Sequence, residues 1–366
     1  MKRIMIVMGT RPEAIKLCPL IRELRSRGCF EVTVCATGQH RAMLDSALGI
    51  FGIRPDIDLE VQQVGQSLSE LCASLLQRID GALAEHRPDL LLVQGDTASA
   101  YAASLAAFHR GIPIGHVEAG LRTYRFNAPF PEEFYRQSIG MMAEIHFAPT
   151  PRAKRNLVRE GREESTVHIT GNTVVDALRL SLSGALNAPP WHFSTDKRVI
   201  LFTAPRRESL GEPMRGMMRA LCRVIDETPD AVAICPLHPN PAVQEAAREI
   251  LGGRERICMI APPDFVCFHR LLSKSYLVMT DSGGVQEETV SLGIPTVVMR
   301  YSSERTEGLR AGVLRLAGNT EEGIYSLVKR LMEPGSEEYE AMKKPSSVFG
   351  DGKASARIAD LLEKSS

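Results

Sequence analysis

The chain has 366 residues, and its 44 Lys plus Arg are balanced by 44 Asp plus Glu, so the formal net charge is zero. This length exceeds what one ordinary hydrophobic core fills and is typical of two domains. The balanced charge argues against a nucleic-acid partner, because such proteins usually carry a basic excess. The apolar run over residues 4–8 is too short for a signal-peptide core or a membrane span, so we expect a cytoplasmic protein with no membrane partner.

The eight cysteines form no C-x-x-C pair, and most of them lie inside apolar runs. We therefore expect reduced, buried thiols, as in a cytoplasmic protein. A zinc site needs a ligand spacing that this chain lacks, and no metal site is predicted.

Short apolar runs alternate with helical patterns from the N-terminus onward. The runs predict strands over 3–9, 31–37, 89–94, 113–118, 144–148 and 167–170. Helices are predicted from Pro12, since proline suits a first turn, and over 68–86 and 98–110. The first of these helices has one apolar face, whose members recur at near-helical spacing: Ile15, Cys18, Ile21 and Leu24.

Apolar periodicity is lost over residues 181–197, which we interpret as a hinge. Alternation then restarts with predicted strands over 198–203, 231–235, 256–260, 276–280 and 296–299. Strands separated by helices form parallel sheets that are covered on both faces. The predicted fold is therefore α/β, with two doubly wound, Rossmann-like lobes facing each other across a cleft. The N-terminal lobe spans 1–180, the C-terminal lobe spans 198–352, and a C-terminal helix, 353–366, packs back on the first lobe.

The segment Gly9-Thr10-Arg11-Pro12-Glu13 follows the first strand and opens the first helix. A glycine turn at a helix N-terminus offers free N–H groups to an anion. The Arg11 guanidinium can donate hydrogen bonds to two oxygens of the same anion. A plain strand–helix turn with a surface arginine explains the segment equally well. The chain has no G-x-G-x-x-G, so a dinucleotide fingerprint is not supported.

The segment 281–288, Asp-Ser-Gly-Gly-Val-Gln-Glu-Glu, is the most informative motif. Its paired glycines let the backbone approach a bulky anion, so Ser282, Gly283 and Gly284 are predicted to bind a diphosphate. Glu288, one turn into the following helix, is predicted to accept both hydroxyls of a ribose. An ordinary helix cap followed by surface acids is the alternative.

Three carboxylates of the N-terminal lobe are predicted to meet at one rim, with Asp96 after the strand 89–94, Glu118 at the end of the strand 113–118, and Glu132 or Glu133 shortly beyond. Each acid alone could be a helix cap or a first-turn residue. Converging carboxylates repel, so at least one should have a raised pKa and serve as an acid or base.

Two histidines and a basic cluster complete the candidates. His116 is interpreted as a core residue with its ring hydrogen-bonded, whereas His238 is the better functional histidine. Arg206 and Arg207 place further positive charge after the strand 198–203.

Taken in order, these segments resemble the non-hydrolysing UDP-N-acetylglucosamine 2-epimerases along essentially the whole chain. The resemblance implies a GT-B fold, a UDP-sugar substrate, a homodimer and no cofactor. It implies interconversion of UDP-GlcNAc and UDP-ManNAc by elimination of UDP to 2-acetamidoglucal, followed by re-addition. The motifs that carry it are GTRPEAIK (9–16), TGQHR (37–41), GDT (95–97), GHVEAGLRT (115–123), PEE (131–133), GNTVVDAL (171–178), RRES (206–209), DSGGVQEE (281–288) and ERTEG (304–308).

The resemblance also implies roles for individual residues. The catalytic acids would be Asp96, Glu118 and Glu132, and the basic residues of the cleft would be Arg11, Lys16 and Arg136. Diphosphate and ribose contacts would come from Ser282, Gly283, Gly284 and Glu288 with Arg305 and Arg206 nearby, while Phe268 would pack near the uracil. An allosteric activator site would involve Gln39, Arg206 and His238.

The chain departs from the family at two places. Pro205 stands where the family has a histidine that contributes to catalysis, and proline supplies neither a proton nor a donor. Ala42 stands where activator-dependent members carry Gln or Glu. Alternatives are therefore an epimerase of a modified sugar such as a 2,3-diacetamido uronic acid, a hydrolysing relative, a glycosyltransferase, or a non-catalytic UDP-sugar sensor.

Overall fold

The computed structural model describes residues 1–38, 41–62, 65–186, 195–203 and 210–364. The chain splits into two compact units, Met1–Asn187 with Gly350–Ser366 (the first unit) and Ala188–Phe349 (the second unit). Part of the predicted hinge, residues 187–194, lies outside the described residues, and a helix ending at Leu182 occupies its start.

The first unit contains a seven-stranded parallel sheet of order β3-β2-β1-β4-β5-β6-β7. Its strands are β1 Lys2–Met8, β2 Phe30–Ala36, β3 Ile57–Asp58, β4 Leu90–Gln94, β5 Ile114–Val117, β6 Ile145–Ala148 and β7 Val167–Ile169. Its helices before the second unit are α1 Arg11–Ser26, α2 Arg41–Ile50, α3 Leu68–His86, α4 Ala98–His109, α5 Glu132–Met142, α6 Pro151–Arg159 and α7 Thr173–Leu182, with a 3₁₀ turn at Glu164–Thr166.

The second unit contains a six-stranded parallel sheet of order β10-β9-β8-β11-β12-β13. Its strands are β8 Arg198–Thr203, β9 Ala231–Pro236, β10 Ile257–Ile260, β11 Leu277–Thr280, β12 Thr296–Val298 and β13 Leu314–Leu316. Its helices are α8 Glu212–Asp226, α9 Pro241–Leu251, α10 Phe265–Ser273, α11 Gly283–Leu292, α12 Thr306–Arg310, α13 Glu321–Met332 and α14 Glu337–Met342; the chain ends in α15, Ala354–Lys364, in the first unit.

The central strands are buried on both faces, which explains their unbroken apolar runs. In β1 the residues from Ile4 to Met8 are fully buried, and so are Leu91 to Val93 in β4. The prediction of two Rossmann-like α/β units is confirmed. The described part of the chain contains no helix that is long and apolar enough to cross a bilayer.

The C-terminal helix α15 packs against α1 and α7 of the first unit. Its first two N–H groups, those of Ala354 and Ser355, donate to the Asp176 carboxylate of α7 at 3.1 and 2.8 Å. Asp176 is buried, and desolvation raises its pKa above the ordinary aspartate value. One carboxylate therefore caps α15 and ties it to α7.

Replacing Asp176 with Asn should destabilise the first unit by about 1–2 kcal/mol, because an amide nitrogen would face one of the two N–H donors. Chemical denaturation followed by circular dichroism measures this loss. Asp80→Asn is the matched control, since Asp80 forms an exposed ion pair with Arg110 whose loss should cost less than about 1 kcal/mol. Equal effects of the two substitutions would contradict the capping role.

Two histidines are buried side by side in the first sheet. His116 of β5 and His146 of β6 are register partners, and each has an Nδ1 atom with no hydrogen-bond partner among the described residues. Desolvation lowers the pKa of His116 to about 3 and that of His146 to about 4. Both rings are therefore neutral in the folded protein near neutral pH.

Because both pKa values lie below that of an unfolded histidine, the unfolded chain takes up protons first, and stability should fall as pH drops below about 6.5. Each ring should contribute a loss of about 2 kcal/mol between pH 6.5 and 5. Hydrogen exchange of the β5 and β6 amides measures it. His146→Leu should flatten this dependence, whereas the exposed His238→Leu should leave it unchanged.

Candidate active site

Glu118, directly after β5, is the most heavily engaged of the predicted acids. It is 7% exposed and adopts a left-handed backbone with φ of 64°, which is unusual for a residue other than glycine. Its carboxylate accepts hydrogen bonds from Lys16 Nζ at 2.5 Å, from Asn172 Nδ2 at 3.0 Å and from Gln94 Nε2. The structure thus brings together Glu118, a predicted catalytic acid, and Lys16, a predicted basic residue of the site.

Asp96, two residues after β4, pairs with Arg136 of α5, whose Nη2 lies 2.5 Å from Asp96 Oδ2. The Arg136 side chain is 8% exposed, and its Nη1 lies 3.6 Å from Glu133 Oε2. Its Nε and Nη1 have no hydrogen-bond partner among the described residues. Arg136 therefore has donor capacity left after pairing with Asp96.

Glu132 and Glu133 begin α5 and differ sharply in their surroundings. Glu133 is fully buried and accepts hydrogen bonds from Thr123 N at 3.0 Å, Tyr124 N at 2.9 Å and Gln137 Nε2 at 2.8 Å. Glu132 is half-buried, and its Oε2 atom is buried without a partner among the described residues. Of the two acids, Glu132 is the one whose oxygen is left for a ligand.

The turn after β1 does not offer the free amides that the sequence suggested. Glu13 Oε2 accepts the N–H groups of Gly9 and Thr10 at 3.0 and 2.8 Å, closing a capping box at the start of α1. Gly9 itself is required by packing, because a Cβ there would lie 2.1 Å from Ser99 Oγ. The anion-binding prediction for these two amides is wrong, and Arg11, half-buried at the first position of α1, is the remaining candidate ligand of this turn.

In the second unit, the segment after β11 forms an open helix N-terminus. Ser282 is the N-cap residue of α11; its side chain makes no capping hydrogen bond, and its own N–H donates to Thr280 Oγ1 at 3.0 Å. Gly283 and Gly284 form the first turn, where N–H groups lack intrahelical partners. A Cβ added to Gly284 would meet no described atom within 4 Å, so internal packing does not require glycine at that position.

Glu288 lies one turn further along α11 and is 8% exposed. Its Oε1 lies 3.4 Å from His269 Nε2 of α10, and its Oε2 is buried without a partner among the described residues. His269 was missed in the sequence. In the sequence, the only indication of a role for His269 is its position directly after Phe268. Its contact with Glu288 arises from the packing of α10 against α11, which the sequence does not show.

The other predicted ligands of the second unit differ in accessibility. Arg305 is buried and donates Nε to Glu287 at 2.8 Å and Nη1 to Glu304 at 2.7 Å, so two carboxylates already engage it. Phe268 is half-buried and packs against an apolar cluster of the second unit. His238 is exposed, and its Nδ1 accepts the Asn240 N–H at 3.2 Å.

Gln39, Pro205 and Arg206 lie outside the described residues, so the predicted activator site stays a prediction. The expected core role of His116 is confirmed, since the residue is fully buried and its Nε2 donates to Gly95 O at 2.8 Å. Five of the eight cysteines are buried as expected, but Cys258 is exposed. Among the described residues, no group of three or more His, Cys, Asp or Glu side chains could hold a metal ion.

The sequence matches the family model for UDP-N-acetylglucosamine 2-epimerase over residues 22–363. It is 45% identical to the UDP-N-acetylglucosamine 2-epimerase of Bacillus subtilis over 360 residues, covering 98% of this chain and 94% of the relative. The corresponding Escherichia coli K12 protein is 42% identical over 372 residues, with coverage of 99% and 98%. The crystal structure of UDP-GlcNAc 2-epimerase from Neisseria meningitidis bound to UDP-GlcNAc is similar with a TM-score of 0.93 at 39% identity, covering 99% of this chain and 100% of that one.

These matches extend along nearly the whole chain and agree with the ordered motifs in the sequence. The two parallel-sheet units match the fold of the solved structures. The chain belongs to the UDP-N-acetylglucosamine 2-epimerase family.

Proposed function

We propose that this chain catalyses the reversible epimerisation of UDP-GlcNAc to UDP-ManNAc at C2. One observation carries this proposal. Three residues that the sequence predicted for the site have buried polar atoms without a hydrogen-bond partner among the described residues: Glu132, Arg136 and Glu288. Buried polar groups are nearly always hydrogen-bonded, and the presence of such atoms on residues already predicted to bind a UDP-sugar supports a ligand there. The names of the relatives, and the UDP-GlcNAc bound to the Neisseria protein, support this choice of ligand.

The first unit would supply the acid–base chemistry. The C2 hydrogen of the sugar is not acidic, so the reaction would proceed by elimination. One carboxylate removes the C2 proton, the C1–O bond to UDP breaks, and a C1=C2 bond forms in 2-acetamidoglucal. UDP then returns to C1 while a second acid delivers a proton to the other face of C2. Asp96, Glu118 and Glu132 are the proposed acids and bases.

The second unit would hold the uridine diphosphate. The N-terminus of α11 would provide the N–H groups of Gly283 and Gly284, the Ser282 hydroxyl and a positive dipole end for a diphosphate. Glu288 would accept the ribose hydroxyls through its unpaired Oε2. The same N–H donors would stabilise the charge on UDP as it leaves.

We further propose a cytoplasmic homodimer. The absence of a disulfide bond among the eight described cysteines supports a reducing compartment. The homodimer is supported by the family resemblance, and light scattering of the purified protein tests it.

In deuterated water, the protein incubated with UDP-GlcNAc should produce UDP-ManNAc that carries deuterium at C2.

Asp96→Asn, Glu118→Gln and Glu132→Gln should each lower kcat by at least about 10²-fold, because each removes an acid–base group. NMR of the sugar protons measures both turnover and exchange. Asp80→Asn, an exposed position of the same unit, is the control and should retain kcat.

The products separate the competing activities. Free ManNAc with UDP would indicate a hydrolysing relative, and UDP binding with neither turnover nor C2 exchange would indicate a sensor. Turnover at the unmodified rate in all three acid variants would remove the catalytic assignment.

Glu288→Ala should weaken UDP binding by about 10- to 100-fold, since a hydrogen bond to a charged group contributes about 1.5–3 kcal/mol. Isothermal titration with UDP measures the change. Glu322→Ala provides a matched control in the same unit, because Glu322 is 70% exposed and pairs with Arg223. An unchanged UDP affinity in Glu288→Ala would contradict the ribose contact.

A further inference from the structure

Asp96 lies between two residues that are each held by a fully buried side chain. On one side, Gly95 O accepts a hydrogen bond from His116 Nε2 at 2.8 Å. On the other side, Thr97 Oγ1 donates to Glu13 Oε1 at 2.7 Å. Glu13 and His116 both have zero exposure, so neither can reach solvent or a ligand from its position.

Glu13 is fully buried and already accepts four hydrogen bonds from the protein. Its Oε2 accepts Gly9 N at 3.0 Å, Thr10 N at 2.8 Å and Thr10 Oγ1 at 2.8 Å, while its Oε1 accepts Thr97 Oγ1. A buried carboxylate is costly unless several donors satisfy it, and here four donors do so. Glu13 thereby joins the turn that precedes Arg11 to the turn that follows Asp96.

Thr97 links the Glu13 carboxylate to the backbone at the start of α4. Its hydroxyl donates to Glu13 and accepts the Ala100 N–H at 3.0 Å, which makes it the N-cap of α4. Both hydrogen-bonding capacities of the hydroxyl are therefore engaged. With Gly95 held by His116 as well, the backbone at Asp96 is fixed on both flanks.

The Asp96 side chain is less constrained than its backbone. It is 27% exposed and pairs with Arg136. The position of its carboxylate therefore depends on the backbone that carries it, and a displacement of about 1 Å at a reacting group can cost about 10²-fold in rate.

We propose that Glu13 and His116 are positioning residues that hold Asp96 in its reactive placement. This inference rests on the proposed acid–base role of Asp96. Neither residue touches the substrate; each acts through a neighbour of Asp96, Glu13 through Thr97 and His116 through Gly95.

The test begins with single variants. Glu13→Gln and His116→Leu should each lower kcat about 10- to 100-fold and change the KM for UDP-GlcNAc less than about threefold, because the displaced group acts in the chemical step. His116→Gln keeps an N–H donor and should retain more activity than His116→Leu. Asp176→Asn is the matched control: it alters another buried carboxylate that accepts backbone N–H groups, and it should lower stability without lowering kcat.

The decisive measurement is a double-mutant cycle with Asp96→Asn. If Glu13 and His116 act through Asp96, adding Glu13→Gln or His116→Leu to Asp96→Asn should lower kcat no further. Multiplicative losses in the double variants would overturn the positioning role. A normal kcat in Asp96→Asn alone would instead defeat the proposed role of Asp96, so the two failures are distinguishable.

A second pair of variants covers the case in which Glu13→Gln does not fold. Thr97→Ser retains the hydroxyl and should keep kcat within about threefold, whereas Thr97→Val removes it and should lower kcat about tenfold or more. Circular dichroism at the assay temperature verifies that each variant is folded. Equal kcat values for Thr97→Ser and Thr97→Val would refute the link from Glu13 to Asp96.

Discussion

The buried ion pair between Lys16 and Glu118 is the interaction on which the first unit's site depends. The two side chains are 15% and 4% exposed, so neither charge is well hydrated. A buried charge is stable only when partners replace its water, and Glu118 takes its partners from α1, from β4 and from the segment that precedes α7. The same contacts hold Glu118 in a left-handed backbone conformation that costs about 1–3 kcal/mol. Strain of this kind is found where surrounding structure imposes it, and here it sets the direction of a functional carboxylate.

Each unit contains two adjacent glutamates, one engaged by protein partners and the other a proposed site residue. Glu133 is buried and fully hydrogen-bonded, while Glu132 keeps a buried oxygen without a partner among the described residues. Similarly, Glu287 accepts the Arg305 guanidinium, while Glu288 keeps a buried oxygen free of protein partners among the described residues. Consecutive helical residues point in different directions, so one member can face the interior and the other a ligand. In each pair, the contacts of one glutamate help to hold the helix that carries the other, the proposed site residue.

Much of the fold could be predicted from the sequence because parallel strands buried on both faces are unbroken apolar runs. The two- and three-residue edge strands at Ile57–Asp58 and Leu314–Leu316 could not, since they are too short to form such a run. The strand ends alone left Glu132 and Glu133 as alternatives, and the family resemblance then indicated Glu132; the tertiary contacts add that Glu133 is buried and fully hydrogen-bonded. The turn at Gly9 was misjudged although its T-x-x-E spacing is the signature of a capping box.

Buried polar atoms of Glu132, Arg136 and Glu288 have no hydrogen-bond partner among the described residues, and this affects the free energy of ligand binding. Leaving a buried polar group without a hydrogen bond costs about 1–3 kcal/mol, and hydrogen bonds from a UDP-sugar to these atoms would contribute free energy of this size to its binding. Glu13 and Glu133, by contrast, are hydrogen-bonded by protein groups alone. Their hydrogen bonds therefore stabilise the folded protein both with and without a ligand. The described residues therefore include carboxylates whose hydrogen bonds are complete within the fold and carboxylates that keep a buried oxygen without a partner among the described residues. We propose that the second group contacts the substrate, because the first group holds the scaffold without it.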